Sequence, residues 1–341
     1  MSTPTRSTGR SAHWLRACGI AVLAAAIVSL ILLAFSWPTV TSQAKNLPVA
    51  VVGNAEQRAQ LGAQLPADTF EVHGAQSREE AVGMIQRREV YGAVVLGTEP
   101  EVLIAGGGSP AAGTALRTLA TQVQLQLDQR ALAAGTPAER VPHITTTDVA
   151  PLSTDDPTGS GMAITGLPLA LGGVVGGVLI SLLVTGRRRR AAAVLAYGVV
   201  GGLALTAILQ SWFGILQGPF WLNALAIGLT VAATAALING LVSTIGTPGI
   251  LLGVVITVLI GNPISGTSAP QEFLPWHFGA IGQYFVPGAG GSLLRSLAYF
   301  PDAPRAREWW VLTAWLLAGG LLILIGHLRA HAGQRRTAAV H

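Results

Sequence analysis

The sequence predicts a mainly α-helical, polytopic membrane protein: six transmembrane helices, with an extracytoplasmic α/β domain inserted after the first. Three observations predict it. The 341 residues are 50% hydrophobic and 11% charged, with a mean hydropathy of +0.53, whereas soluble domains carry about 25% charged residues. Apolar runs long enough to cross a bilayer recur along the chain, a span needing about 20 apolar residues at about 1.5 Å each. Most acidic residues lie between Pro38 and Ser160, where strand-like and helix-like segments alternate.

The runs take their orientation from Arg187, Arg188, Arg189 and Arg190, which sit between the apolar stretches Ala163–Thr185 and Ala191–Trp212. Short loops rich in arginine stay on the cytoplasmic side, so this tip is inside and every other segment follows by parity. The expected order is a cytoplasmic tail (1–14), a first span (15–37), an extracytoplasmic α/β domain with its linker (38–162), a five-helix membrane domain (163–328) and a cytoplasmic tail (329–341). Both termini are then cytoplasmic. Residues 1–13 are polar, rich in Ser and Thr and basic, a composition that resists folding. The first run, Leu15–Phe35, has two readings: a cleaved signal peptide, for which Ser42-Gln43-Ala44 offers a site, or a retained anchor. Signal cores run about 7 to 15 residues, so its length favours the anchor. Cys18, the one cysteine, excludes an intrachain disulfide.

Within the outer domain, Pro48–Val52 reads as a strand, Ala55–Gln64 as a helix and Thr69–Val72 as a strand. Ser77 starts a helix as a capping box with Glu80. Tyr91–Leu96 is a nearly continuous apolar strand of the kind buried on both faces, and Glu101–Ala105 is another. The alternation implies a mainly parallel sheet and a unit (48–149) that folds alone. Gly106-Gly107-Gly108 lacks phosphate-loop spacing and reads as a turn. Ala111–Ala134 is a long helix whose stripe of Leu116, Leu119, Val123 and Leu127 faces either the domain's own sheet or a second copy. Val141–Val149 is a last strand and Pro151–Ser160 a linker.

The membrane block continues with spans at Trp221–Ser243, from Gly249 to about Ile260, and Trp309–Ile325. Trp212, Trp221, Trp309 and Trp310 fall at the expected outer interface, where aromatic belts form. Gly172/Gly176, Gly173/Gly177 and Gly198/Gly202 are GxxxG pairs that permit close helix crossings. No Asp, Glu or His lies within the spans, unlike a proton-coupled transporter. No Walker motif or G-x-S-x-G is present, and the pair His327 and His331 reads as solvated tail residues. No catalytic residue, metal site or cofactor is expected, and the net charge of +5 follows membrane topology rather than nucleic acid. Anionic lipid headgroups are the expected partners of the inner arginines.

Gly261–Phe300 is too apolar for an ordinary loop, yet Pro263, Pro270, Pro275 and Pro287 cut it into pieces too short to span. It suggests interfacial helices or a re-entrant hairpin. Its NPISG, FLP, IGQY and PGAGGSLLRSLAYF runs resemble the end of ABC-2 type transporter permeases, in the bacterial branch related to phage-infection protein. The layout of one span, a large outer domain opening with a PVAVV-like strand, then five spans is similar too, over about Leu15–Ile325. The resemblance implies a homodimeric permease of the bacterial inner membrane, exporting an amphiphilic or envelope-related substrate with energy from a separate ATPase. The alternative is a non-transporting envelope receptor or scaffold whose outer domain binds a partner. On the first reading the broken segment is an outer gate. Ile281, Phe285, Leu293 and Leu294 would seal it, Pro263, Pro287, Gly288, Gly290 and Gly291 would break the helices, and Arg295 would snorkel to the interface.

Overall fold

The computed structural model describes residues 8–65, 68–97, 99–135, 137 and 140–338. It is mainly helical, with one five-stranded sheet, and five helices are long and apolar enough to cross a membrane. The first, α1 (Thr8–Thr41), is a unit by itself. Ile20, Val22, Leu23, Val28, Leu30 and Leu32 stand exposed around its whole circumference, the pattern of a helix made for lipid rather than for one packed face. Residues 1–7 of the expected polar tail lie outside the described residues. Thr8 onward is already helical, so the helix starts earlier than the tail composition suggested.

The α/β domain begins with β1 (Leu47–Val52), α2 (Ala55–Gln64), β2 (Phe70–Ala75), α3 (Arg78–Gln86) and β3 (Gly92–Val95). It continues with β4 (Glu101–Ile104), α4 (Pro110–Ala133) and β5 (Thr145–Asp148). Strand order is β2-β1-β3-β4-β5. Three pairings are parallel, but β3 and β4 run antiparallel, Val94 opposite Val102. The reason is local: the link between them is too short for a crossover, which takes a dozen residues or more. Asn54 closes a capping box on α2, its Oδ1 accepting from Gln57 N at 2.7 Å while Gln57 Oε1 accepts from Asn54 N at 3.0 Å. At α3 the predicted box is half made: Ser77 caps Glu80 N, but the Glu80 carboxylate accepts from Gln76 N instead. Asn54→Ala should lower stability by about 1 kcal/mol in thermal unfolding.

Arg78 ties α3 to β4 through two bonds to Glu101, at 2.6 and 3.1 Å. That hydrogen bond, from an exposed guanidinium, holds the Glu101 carboxyl below its usual pKa. A depressed carboxylate stabilises the fold above its unfolded pKa of about 4.3, and loses that contribution as pH falls through its lower folded value. Glu101→Gln should therefore weaken the fold by no more than about 1 kcal/mol at pH 7, as for a partly exposed pair. The deficit should shrink in unfolding curves as pH falls below about 4.3.

One face of the sheet is covered by α2 and α4, which enclose Val49, Val51, Val94 and Ile104 with Leu61, Leu116 and Leu119. The C-terminal half of α4 runs past it, leaving Leu125 and Leu132 exposed. The other face carries Ala50, Ala93 and Leu103, and is covered by Ala81 and Ile85 of α3 together with Tyr299, Phe300 and Ala303. The α/β domain thus borrows part of its core from the far end of the chain. An excised fragment (48–149) would leave this face bare.

The membrane block comprises α5 (Ser160–Leu183), α6 (Arg187–Thr206, widened into a π turn over Ala207–Trp212), α7 (Phe220–Ile245), α8 (Pro248–Val254, continued by a π turn over Val255–Gly261), α9 (Phe278–Gly282), α10 (Val286–Tyr299) and α11 (Ala306–Ala338). The expected tail from Arg329 continues α11 as far as Ala338, and 339–341 lie outside the described residues. Helix α7 is the hub, buried along most of its length, because its inward positions are small: Ala224, Ala226, Gly228, Ala232, Ala233, Ala235, Ala236 and Gly240. The GxxxG pairs do what small residues permit. Gly198 and Gly202 of α6 meet the backbone of α7 at Gly228 and Ala224, Gly173 and Gly177 of α5 meet Thr234 and Ala235, and Gly176 receives the ring of Tyr197. The span amides are bonded too. Asn223 donates to Gln210 Oε1 and Gln217 O, closing the 213–219 loop, and Asn239 donates to Gly177 O at 3.0 Å.

The ends of the bundle differ in chemistry. At one end Arg190 donates to Val184 O and Ser181 O, satisfying the last carbonyls of α5, and Arg187–Arg189 line a shallow basin with His327. At the other end Trp212, Trp221 and Trp310 are exposed.

Between these ends the continuous pattern breaks. The helix Pro248–Gly261 has 14 residues, about 21 Å of rise, short of the roughly 30 Å hydrocarbon thickness. The chain then turns at Pro263, makes a 3₁₀ turn at Gln271–Phe273 and the one-turn α9, and enters α10. The start of α10 is deep in the bundle. Gly290 packs on Thr230, Trp315 donates to Tyr284 O at 2.8 Å, and the Phe285 and Trp315 rings lie 6.2 Å apart. Thr230 and Trp315 are each nine or ten residues inside their helices, about 15 Å from the tryptophan end. The end of α10 returns to that end, where Tyr299 donates to Ile215 O at 3.0 Å.

Candidate functional site

Where the α/β domain meets this broken segment lies a cavity of about 420 Å³. Its walls come from several separate stretches of chain. Helix α10 supplies Ser292, Arg295 and Ser296; the irregular stretch after Pro263 supplies Ser265, Gln271 and Glu272; Gln283 follows α9; Arg307 and Glu308 open α11; and Arg88 and Tyr91 come from the α3–β3 turn.

Arg88 joins the domain to α10. It ends α3 in the left-handed region, φ +59°, which costs a non-glycine residue of order 1 kcal/mol or more. That conformation sends its guanidinium onto α10, where Nη1 donates to Ser292 O (3.0 Å), Ser292 Oγ (3.1 Å) and Ser296 Oγ (2.7 Å), with Cζ 5.6 Å from the Phe300 ring centre. Burial pushes the Arg88 pKa down from the usual arginine value. Tyr91 donates to Glu272 Oε2 at 2.8 Å, and Gln271 donates to Glu272 Oε1 at 3.0 Å. Burial, reinforced by the Glu272 carboxylate, pushes the Tyr91 phenol up, so it stays a neutral donor. Glu308 Oε1 accepts from Arg307 at 2.7 Å and from Ser292 Oγ at 3.3 Å.

The residues of the proposed gate are divided by the structure. Leu293 and Leu294 are fully buried, with Pro287, Gly288 and Gly290 buried beside them, and Phe285 is half-buried. Ile281, in α9, is 48% exposed. Gly288 and Gly290 do not break a helix: they lie inside α10 and permit its close approach to Gly282 and Thr230. The breaks fall at Pro263, Pro270 and Phe285. Arg295 does not snorkel. It is only 8% exposed and donates through Nη2 to Thr267 O at 2.8 Å, because α10 carries it between α5 and the α/β domain. Sequence reasoning missed Arg88, Tyr91, Glu272, Ser292, Ser296 and Glu308. Glu308 was the one with a signal, a lone acid at the head of a span.

The arrangement is a chamber for hydrogen bonds and ion pairs. Compared with protein-family models, with curated proteins and with solved structures, the chain finds no match in any of the three.

Proposed function

We propose that the chain is the permease-like membrane subunit of an ABC-2 type exporter in the bacterial cytoplasmic membrane, working as a homodimer and moving an amphiphilic or envelope-related substrate outward. The observation that carries this reading is the broken segment. A short helix buried on nearly every side, entered through irregular backbone and roofed by a charged cavity, sits where transporters place binding sites. Such irregular backbone inside an apolar bundle is costly unless it lines a path or a site. The receptor or scaffold reading is less well supported, since the outer domain's sheet is packed onto Phe300 rather than left free to dock a partner.

Energy would come from a separate ATPase. The α5–α6 link is only residues 184–186, so a partner would engage the arginines of α6 themselves. The test is affinity purification of the full chain in mild detergent. An ATPase should come with it, and its hydrolysis rate should respond to the chain. Recovery with outer-envelope proteins alone, and no nucleotide-binding subunit, would favour the scaffold.

A further inference from the structure

Two buried polar atoms at this cavity have no hydrogen-bond partner among the described residues: Arg295 Nε and Glu308 Oε2. Their residues are 8% and 4% exposed, and both line the chamber. Leaving such groups unpaired costs about 1–3 kcal/mol each, more for charged ones, so their pairing is what a ligand can supply. They ask for opposite things. Arg295 Nε is a donor in want of an anionic acceptor, while Glu308 Oε2 is an acceptor in want of a donor. The ion pairs at the cavity are, among the described residues, Arg307–Glu308 and, at its rim, Arg87–Glu89, each at 2.7 Å. Neither Arg88 nor Arg295 has a carboxylate within salt-bridge distance among the described residues, although buried arginines are normally paired. Glu272 does not compete, both its oxygens being engaged by Tyr91 and Gln271.

Arg295 also lines a second space. On its inner side a narrow apolar crevice runs between α5 and α10, walled by Met162, Leu169, Val286 and Leu294. Small residues, Gly166, Ala170 and Gly291, line its seam, and its volume is about 20 Å³. One guanidinium thus stands between a charged chamber and an apolar slot.

We propose that the chamber binds the polar head of an amphiphile whose head carries both an oxyanion and a hydrogen-bond donor, an ammonium or hydroxyl. The oxyanion meets Arg295 Nε and Arg88, the donor meets Glu308 Oε2, and the tail lies along the α5–α10 seam, which has to widen to take it. As a substrate assignment this rests on the exporter reading; as a binding site it does not.

The experiment is native mass spectrometry of the full chain in neutral detergent. Phosphatidylethanolamine, phosphatidylcholine and diacylglycerol of equal chain length are titrated in turn, with glycerophosphoethanolamine as the free headgroup. Phosphatidylethanolamine should bind at least about fivefold better than phosphatidylcholine, which has no N–H to give Glu308, and diacylglycerol should bind weakest. Arg295→Gln should cut both phospholipids at least about tenfold, and Glu308→Gln should erase the preference between them. The wild-type comparison needs no variant to fold. Equal binding of all three lipids, or variants that bind like wild type, overturns the site. Glycerophosphoethanolamine competing as well as the intact lipid overturns the amphiphile assignment. Because no ATPase is present, a failed titration leaves the exporter reading with another substrate, and a failed purification of an ATPase leaves the site.

Discussion

Phe300→Ala should destabilise the protein by about 3 to 5 kcal/mol, the range for removing a large buried aromatic side chain. Phe300 is 1% exposed and fills the sheet face between Ala105, Ala93 and Leu103. It also lies under the Arg88 guanidinium. Its loss therefore opens a cavity in the α/β domain and loosens the clamp between that domain and α10. The expected result is a large drop in the thermal midpoint of the detergent-solubilised chain, with early exposure of the α/β domain to protease. A drop comparable to a surface substitution would mean that the domain does not depend on this contact. For the same reason the isolated fragment (48–149) should be much less stable than the domain in the full chain.

Gly202→Leu should prevent the bundle from forming. A Cβ at Gly202 would fall on the carbonyl oxygen of Ala224 and the backbone of Gly228. Overpacking a core costs about 1–3 kcal/mol when side chains can shift. Here the obstacle is main chain, so the whole of α6 must move off α7. Loss of a monodisperse peak on size exclusion is expected. Gly320→Leu is the control, since nothing lies within 4 Å of the Cβ it would carry, and that variant should behave as wild type. If both glycines tolerate leucine equally, the close α6–α7 crossing is wrong.

Much of this architecture is legible in the residues because membrane and strand signals are strong local patterns. The long apolar runs, the Asn54–Ala55 helix start and the apolar β3 each follow from a single stretch. The antiparallel turn from β3 to β4 was passed over because strand–helix alternation was read as parallel throughout, although the short link between the two strands rules out a crossover. The share that Phe300 takes in the core of the α/β domain was hidden because Phe300 lies some 195 residues beyond Ala105, in whose cluster it packs, and no periodicity reports that pairing. The candidate site was only half visible. Pro263, Pro270 and Pro287 announce the broken segment, but Arg88 looks like an ordinary surface residue at a helix end. Its role follows from a positive φ and from three bonds to α10. Arg295 was expected at the membrane interface from the general habit of long cations; the depth at which α10 starts overrides that habit.

The central claim is that the segment 262–300 enters the bundle from the tryptophan end and returns to it. Sided cysteine labelling tests it most directly. In a Cys18→Ser background, single substitutions Thr154→Cys, Ser268→Cys, Asp302→Cys, Thr247→Cys and Leu293→Cys are treated in intact cells with a membrane-impermeant maleimide. The first four positions are exposed and Leu293 is buried. Thr154, Ser268 and Asp302 should all react from outside, Thr247 only after permeabilisation, and Leu293 in neither condition. Reaction at Asp302 only after permeabilisation, with Ser268 reacting from outside, would mean that the segment crosses the membrane, and would contradict the account.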